Sequence, residues 1–399
     1  MSRVNRVTAY QKEKSIHFST SSADPLASWR VSGIKGPVFE QWYYDSVADD
    51  GKSGIVFTLA RDASYALLGQ GHLRVELDVT FSDGTHFNHV DWMSEAVINE
   101  SKSGGVDGTW TAKDKTYKHT IVSDGSRATV HMDTPEAKGN FTLAGLSPAV
   151  YPGGQTHDEV VSQGKTVSTE LLPKINLVQV IPTATFEADL MFRGRPLRFR
   201  GIGGHMHIWA AGSWFDTTPG WRVCRGVAGP WSVTCMEWSA PDGTVHSSGY
   251  VAKDGQKRFG ELEIYREDDP PTLPGAQSKK KRKQVRWLPT YNTGHSGPFN
   301  DKSTGAVLHF TTSEPGEEYR FEITHRRTAF DVWFGGNECG LTAFLGEVSG
   351  GKVGEEVYKG VQFTDVCRFP QGLTKIVFFF LMLLAKLSFG YINVLGINT

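Results

Sequence analysis

Strict alternation of apolar and polar side chains over residues 72–81 constrains the fold of this chain more than any other feature. A period of two residues puts alternate side chains on opposite faces of an extended strand. Residues 183–192 alternate in the same way, and each segment runs into a turn, Asp83-Gly84 or residues 193–196. The apolar positions are Leu73, Val75, Leu77, Val79 and Phe81, then Ala184, Phe186, Ala188, Leu190 and Phe192. With no long helical periodicity to compete, the pattern predicts an all-β chain of antiparallel barrels or sandwiches.

The length of the chain predicts more than one domain. It has 399 residues, and a single hydrophobic core rarely serves so many. The segment Asp216-Thr-Thr-Pro-Gly220 has the composition of a boundary and follows a dense aromatic block. We therefore expect an N-terminal β domain over residues 1–217, a C-terminal β domain over 218–368 and an apolar extension over 369–399.

The charge balance gives no reason to expect a nucleic-acid partner. The formal net charge is -1 and the pI is about 6.9, so the protein has no general attraction for phosphates. The one dense basic run is 279–283, which follows a Pro-Pro pair and a loop. Such a run is typical of a solvated loop, although nuclear import signals and phosphate-binding patches have the same composition.

Cysteine usage and the N-terminus predict a cytoplasmic protein. No apolar stretch follows Met1, so the pattern of a secretory signal is absent from the sequence. Of the four cysteines, Cys224 and Cys235 are placed where a hairpin could join them as a disulfide. Reduced thiols in a cytosolic core are the favoured alternative.

The tail over residues 376–397 is apolar except for Lys386 and a few small or polar residues. A bilayer span takes about 20 apolar residues, so the length fits, but a lysine near the middle costs about 3 kcal/mol. Membrane association through 376–397 is one interpretation, and a packed C-terminal element is the other. The sequence does not define the oligomeric state.

Two aromatic blocks carry the candidate functional residues, and they lie far apart in the chain. The first is residues 39–45, Phe-Glu-Gln-Trp-Tyr-Tyr-Asp, and the second is residues 201–214, which has two histidines and two tryptophans. His205 and His207 share a strand face but lack the spacing of a metal site. The Gly-x-Ser-x-Gly elbow is absent, and Gly201-Ile-Gly-Gly is not followed by a helix, which rejects a dinucleotide fingerprint.

Rigid rings with few acid–base groups favour a pocket that binds and shapes an apolar ligand. Phe39, Trp42, Tyr43 and Tyr44 are expected on one wall, and Trp209 and Trp214 on the wall that faces it. Each ring could instead be ordinary barrel core. The candidate hydrogen-bond donors to a ligand carbonyl are Gln41, Tyr44 and His205.

At these residues the chain resembles the fungal Diels–Alderases of polyketide–nonribosomal peptide pathways, lipocalin-like cyclases that form decalin rings. The motifs that carry the resemblance are Phe39–Asp45 with Gly51–Val56, Ile98–Ser101 with Asp107–Trp110, Gly203–Trp214, and Asp301–Gly305 with Glu317–Arg326. The resemblance covers residues 35–365. A more distant likeness of the Gly-Gly-His block is to carotenoid 1,2-hydratases.

The resemblance implies two lipocalin-like β domains, a pocket between them and no cofactor. Its implied substrate is a linear polyene linked to a tetramic acid, closed by an intramolecular [4+2] cycloaddition. The family's pocket aromatics fall on Phe39, Trp42, Trp209, Trp214 and Phe330. Relatives can carry Trp at the positions of Phe39 and Phe330, so the pocket outline is expected to differ here.

A cycloaddition moves no proton, so shape should matter most. Holding the reacting atoms about 3–3.5 Å apart offsets at most ~7–11 kcal/mol of the barrier. We therefore expect Trp209→Ala to alter the stereochemical outcome and Gln41→Ala to have a mild effect. Two alternatives remain: a hetero-Diels–Alder cyclase or isoprenoid hydratase, the latter with Glu40 or Asp45 as its acid, and a non-catalytic lipocalin-like carrier.

Overall fold

The computed structural model describes residues 3–9, 17–32, 38–62, 71–266, 283–299, 302–314, 317–334, 338–372, 376 and 380. Antiparallel strands make up nearly all of the regular structure in these residues, so the prediction of an all-β chain is confirmed. Residues 279–282 of the basic run and most of 376–397 lie outside the described residues. Lys283, at the end of the basic run, lies 2.8 Å from Glu261 in a surface ion pair.

The chain contributes its elements in two halves. The first half contains β1 (Arg3–Thr8), β2 (His17–Phe18), β3 (Val31–Ser32), β4 (Phe39–Ala48), β5 (Gly54–Asp62), β6 (Leu73–Thr80), β7 (His86–Trp92), β8 (Glu95–Glu100), β9 (Val106–Ala112), β10 (Lys115–Ile121), β11 (Arg127–Asp133), β12 (Ala137–Gly145), α1 (His157–Gln163), β13 (Glu170–Leu172), β14 (Ile175–Phe192) and β15 (Arg195–Ala210). The second half contains α2 (Trp214–Thr217), β16 (Gly220–Ala228), β17 (Trp231–Ser239), β18 (Thr244–Lys253), β19 (Gln256–Arg266), β20 (Gln284–Thr290), β21 (Gly305–Thr311), β22 (Glu318–Trp333), β23 (Gly340–Lys352) and β24 (Tyr358–Arg368).

The first sheet has the order β1-β8-β9-β10-β11-β12-β14-β15-β4-β5-β6-β7, and β13 pairs with β14. Its longest hairpin joins β14 to β15 through Arg193 and Gly194, whose φ angles of 47° and 75° suit a primed two-residue turn. Strand β15 then pairs with β4, so the two aromatic blocks of the sequence lie side by side.

The second sheet has the order β19-β18-β17-β16-β24-β23-β22-β21-β20. The two sheets curl into barrel-like bodies, as the sequence predicts. The predicted boundary at residues 217 and 218 lies in the link between β15 and β16, and the division into domains 1–217 and 218–368 stays a proposal. Cys224 and Cys235 are directly opposite each other in β16 and β17, and both are free, buried thiols.

Strand β4 separates two apolar regions. Trp42 and Tyr44 point into the barrel of the first sheet, where they join its core. Phe39, Tyr43 and Val47 point the other way and pack against residues of the second sheet. We call the apolar region between the two sheets the intersheet layer. It consists of the tryptophan cluster, which includes Phe39, Met206, Trp214, Val223 and Trp238, and the Phe330 cluster, which includes Val47, Ile202, Phe330, Leu345 and Phe363.

Among the described residues, none of the helices has the length and apolar character needed to cross a bilayer.

Candidate functional site

Four of the predicted site residues lie in the barrel interior of the first sheet. The Trp42 ring stacks on His207 with centroids 4.8 Å apart, and the Tyr44 ring stacks on His205 at 4.1 Å. The indole N–H of Trp209 donates to the Ser19 carbonyl at 2.9 Å. All of these side chains are buried, so they form a packed wall behind the intersheet layer.

The polar atoms of this interior are bound to one another. The Tyr44 hydroxyl lies 2.9 Å from Nδ1 of His119, and Nδ1 of His205 donates to the Tyr43 carbonyl at 3.0 Å. Burial lowers the pKa of His205 to about 3 and lowers the pKa values of His119 and His207 as well. The three imidazoles are therefore neutral near pH 7, and Tyr44 and His205 have structural partners.

The other four predicted residues belong to the intersheet layer or to the strand face that borders it. Phe39 stacks on Trp214 with centroids 3.8 Å apart and rings nearly parallel at 15°. Trp214 lies 5.1 Å from Trp221, which lengthens the aromatic row toward the second sheet. Gln41 is on the same face of β4 as Phe39, and Phe330 is in the cluster named after it. The structure thus divides the eight predicted residues equally between two regions.

A polar group lies in this layer, and sequence reasoning foresaw only part of it: Tyr43 was expected on the pocket wall, but Trp221 and Asp365 were missed. The Tyr43 hydroxyl is 3.1 Å from Oδ2 of Asp365, and the Trp221 indole N–H donates to Oδ1 of the same carboxyl at 3.0 Å. Asp365 is buried, whereas Tyr43 and Trp221 are half-buried. Tyr43 packs against both apolar clusters of the layer. A hydrogen-bonding group is therefore placed between two apolar surfaces, which suits a ligand with a polar part and two apolar arms.

Alternation along β4 is the signal that could have separated Tyr43 from Trp42 and Tyr44, because Tyr43 shares a strand face with Phe39 and Gln41. For Trp221 and Asp365 no local signal exists. They meet because β16 pairs with β24, where Trp221 is opposite Cys367 and Val223 is opposite Asp365.

The two acids considered for a hydratase have structural partners. Glu40 accepts hydrogen bonds from the backbone N–H of Arg30 and Val31, at 2.6 and 3.1 Å, and lies 2.9 Å from Nε2 of His207. Its burial raises its pKa to about 8. Asp45 accepts two hydrogen bonds from the Arg225 guanidinium, at 2.8 and 3.1 Å. These bonds disfavour an acid role for either carboxyl.

Clefts bounded by the described residues have volumes of about 360, 530, 560 and 650 Å³, and none of the eight predicted residues lines any of these four. Trp221, Cys367 and Phe369 line the cleft of about 530 Å³. The tryptophan cluster therefore reaches the molecular surface at Trp221. Among the described residues, no group of three or more His, Cys, Asp or Glu is arranged to hold a metal ion.

Two barrel-like antiparallel sheets with an aromatic layer between them define an all-β protein of lipocalin-like architecture. Residues 1–370 match the profile of the Diels-Alderase-like family. The chain is 63% identical to the Diels-Alderase ucsH of Acremonium sp, over 100% of both chains. It is 31% identical to the Diels-Alderase ffsF of Aspergillus flavipes, over 92% of this chain and 86% of that relative.

The crystal structure of CghA with Sch210972 has the same fold, with a TM-score of 0.77 over 92% of this chain and 99% of CghA. Its sequence identity to this chain is 22%, so this likeness concerns the fold alone. The protein belongs to the Diels-Alderase-like family, which contains enzymes of fungal origin. The predicted family, the lipocalin-like fold and the assignment as a cyclising enzyme are confirmed.

Proposed function

We propose that the protein is a Diels–Alderase that folds a linear polyene and closes it to a decalin-type ring by an intramolecular [4+2] cycloaddition. The observation that carries the proposal is the intersheet layer, where Phe39, Trp214 and Phe330 present rings beside the polar group of Tyr43 and Asp365. The names of the full-length relatives support the same reaction class.

The reaction requires the diene and the dienophile to meet in one orientation. Aromatic side chains have few rotatable bonds, so they impose a shape on a flexible chain at low entropic cost. We assign Phe39, Gln41, Trp214 and Phe330 to direct contact with the substrate. Trp42, Tyr44, His205 and Trp209 lie behind β4 and β15, so we assign them to support of that wall.

The experiment is incubation of the purified full chain with a synthetic linear polyenone, followed by chiral chromatography. In this probe the diene and the carbonyl-conjugated alkene are joined by a tether that closes a second six-membered ring. We expect faster decalin formation than in a reaction without protein, with one diastereomer favoured. A carrier would bind the decalin without changing its rate of formation, a hetero-Diels–Alder enzyme would give an oxygen-containing ring, and a hydratase would give a product heavier by one water. Each of these outcomes contradicts the proposal.

We further propose that the protein is cytoplasmic and that its C-terminal extension brings it to a membrane surface. Ile376 and Phe380 are one helical turn apart and 66% and 60% exposed, so both present apolar side chains to solvent. The family profile ends at residue 370, before this segment. Full-length protein should float with liposomes in a density gradient, and protein truncated after Gly372, which keeps the buried Phe369, should not. Equal behaviour of the two proteins contradicts this role.

A further inference from the structure

Asp365 is a carboxyl group without a cation. It extends from β24 into the layer between the sheets and is 5% exposed. Its two oxygens are bound by the Tyr43 hydroxyl and the Trp221 indole N–H, and within the described residues no Lys, Arg or His lies within ion-pair distance of it. An ionised carboxylate in such a place costs several kcal/mol of desolvation, which no opposite charge offsets. Below about pH 7 the protein therefore favours the neutral acid.

The two acidic groups that face Asp365 also disfavour its ionised form. Asp45 faces it from β4 and is paired with Arg225, and Asp78 faces it from β6, bound by Asn88 at 2.7 Å. Burial raises the pKa of Asp365 to about 7; the hydrogen bonds from Trp221 and Tyr43 oppose this rise, and the charge of Asp45 adds to it. On its own strand, the pKa of the buried Cys367 thiol is also raised, so that thiol brings no charge near pH 7.

A neutral Asp365 changes what Tyr43 can do. An ionised carboxylate is an acceptor only, so it would hold the single proton of the Tyr43 hydroxyl. A carboxylic acid instead donates its own proton to the Tyr43 oxygen, 3.1 Å away, while its other oxygen accepts from Trp221. The Tyr43 proton is then free to point at a ligand, and donors in such a chain strengthen one another.

The geometry points to Tyr43 as the residue that donates a hydrogen bond to the carbonyl oxygen conjugated with the dienophile, with Asp365 and Trp221 as its positioning residues. This inference rests on the proposed cycloaddition. The donor withdraws electron density from the dienophile carbonyl and so lowers the barrier to attack by the diene. No proton is transferred and no bond other than those of the cycloaddition forms.

Tyr43 fits this role better than the donors expected from sequence. The hydroxyl of Tyr44 is bound to His119, and His205 is bound to a backbone carbonyl, both inside the barrel. The Tyr43 hydroxyl lies where the two apolar clusters meet, so a substrate bound at its carbonyl can lay one arm along each. Gln41, two residues earlier on the same face, stays available as a second polar contact.

The test compares four full-length proteins with the polyenone probe: wild type, Tyr43→Phe, Asp365→Asn and Tyr117→Phe. The Tyr117 hydroxyl donates to the buried Asp91 at 2.6 Å in the first barrel, so Tyr117→Phe is a matched loss of a buried Tyr–Asp bond away from the layer. Circular dichroism and thermal melting establish that each variant is folded. The rate of decalin formation is then measured from pH 5.5 to 8.5 for all four.

We expect Tyr43→Phe to lose rate by about 100-fold, the scale for one preorganised donor, and Tyr117→Phe to keep the wild-type rate. The wild-type rate should fall as the pH rises through about 7, because ionisation of Asp365 recaptures the Tyr43 proton. An asparagine amide reproduces the neutral acid, since its NH₂ donates to Tyr43 and its oxygen accepts from Trp221. Asp365→Asn should therefore keep most of the rate and lose the pH dependence.

A folded Tyr43→Phe protein with the wild-type rate overturns the inference. So does an Asp365→Asn protein that keeps the fall in rate near pH 7, because another group would then be titrating. If the wild-type protein does not accelerate the reaction at any pH, the proposed function itself is wrong. This result differs from the two above, in which wild type is active and only the role of Tyr43 or Asp365 is contradicted.

Discussion

Arg225 of the second sheet donates two hydrogen bonds to Asp45 of the first sheet, Nε to Oδ1 at 2.8 Å and Nη2 to Oδ2 at 3.1 Å. Its remaining nitrogen, Nη1, donates to the Ile181 carbonyl of β14 at 3.2 Å. Both side chains are about 1% exposed. Burial raises the pKa of Asp45, and the guanidinium opposes that shift. A bidentate pair in this position fixes the distance and the rotation of one sheet against the other.

Removing one partner of this pair should be costly, because the other charge stays buried without a counterion. We expect Arg225→Met to lower the free energy of unfolding by about 3–5 kcal/mol. The double variant Arg225→Met with Asp45→Leu should recover much of that loss, since neither charge is then buried. Urea unfolding of the variants measures both effects. The control is Arg198→Met, which breaks an ion pair whose side chains are both largely exposed, and its effect should be slight. If Arg225→Met and Arg198→Met lowered the free energy of unfolding equally, the buried pair would have no special cost and this prediction would be wrong.

Gly204 makes room for the same guanidinium. A Cβ on this residue would lie 2.1 Å from Cζ of Arg225, far inside van der Waals contact. We expect Gly204→Ala to destabilise the protein by about 1–3 kcal/mol, the usual range for overpacking. In an Arg225→Met background the same change should cost less, because a flexible thioether can move aside. Gly105→Ala is the control, since its new Cβ would lie no closer than 3.3 Å to its neighbours. Additive losses in the double variant would show that the guanidinium is not the obstacle.

Stability should fall as the pH rises from about 6.5 to 8, because of carboxyl groups that stay protonated in the folded state. Burial raises the pKa values of Glu40 and Asp78 to about 8, from ordinary values of 4.5 and 3.8. In this range the unfolded chain has released those protons and the folded chain has not, so a higher pH favours unfolding. Each such group contributes at most about 1.4 kcal/mol per pH unit.

Below pH 6.5 the buried histidines have the opposite effect on stability: they lower it as the pH falls. Burial lowers the pKa of His205 to about 3, so the unfolded chain binds a proton that the folded chain refuses. We therefore expect the highest stability near pH 6.5, measured by urea unfolding at several pH values. Asp78→Asn removes one of the raised groups and should flatten the fall between pH 6.5 and 8. If the free energy of unfolding rose between pH 6.5 and 8, Glu40 and Asp78 would not be the protonated carboxyl groups that we expect in the folded state.

Local alternation was sufficient to find the barrel cores. The alternating apolar residues of 73–81 and 184–192 all belong to the core of the first sheet. The same pattern did not predict what covers the polar face of β6. Asp78 and Thr80 have the appearance of a solvated strand face, yet they are 6% and 2% exposed, because strands of the second sheet pack near them. Alternation distinguishes two faces of a strand but does not indicate whether water or another sheet covers the polar one.

The same limit explains the division of the predicted site. Adjacent aromatic residues such as Trp42 and Tyr43 must point in opposite directions on a strand, so one block of rings cannot form one wall. The bond between Tyr43 and Asp365 joins residues 322 positions apart, and it depends on the packing of two sheets. Residue types and spacing were enough to place Phe39 and Trp214 near each other, but not to choose which face of β4 meets the ligand.

Two tryptophans distinguish the intersheet layer from the barrel interior as the place of reaction. Trp214 lies among Phe39, Trp221 and Trp238, whereas Trp209 lies against His207 with the Arg30 guanidinium 5.0 Å from its ring centre. Leucine at either position leaves a cavity and should lower the melting temperature. The ratio of decalin diastereomers does not depend on how much protein is folded, so it separates shape from stability. We expect Trp214→Leu to change this ratio and Trp209→Leu to leave it as in wild type. The reverse result would place the bound polyene inside the first barrel, against Trp42 and Trp209, and would restore the site expected from the sequence.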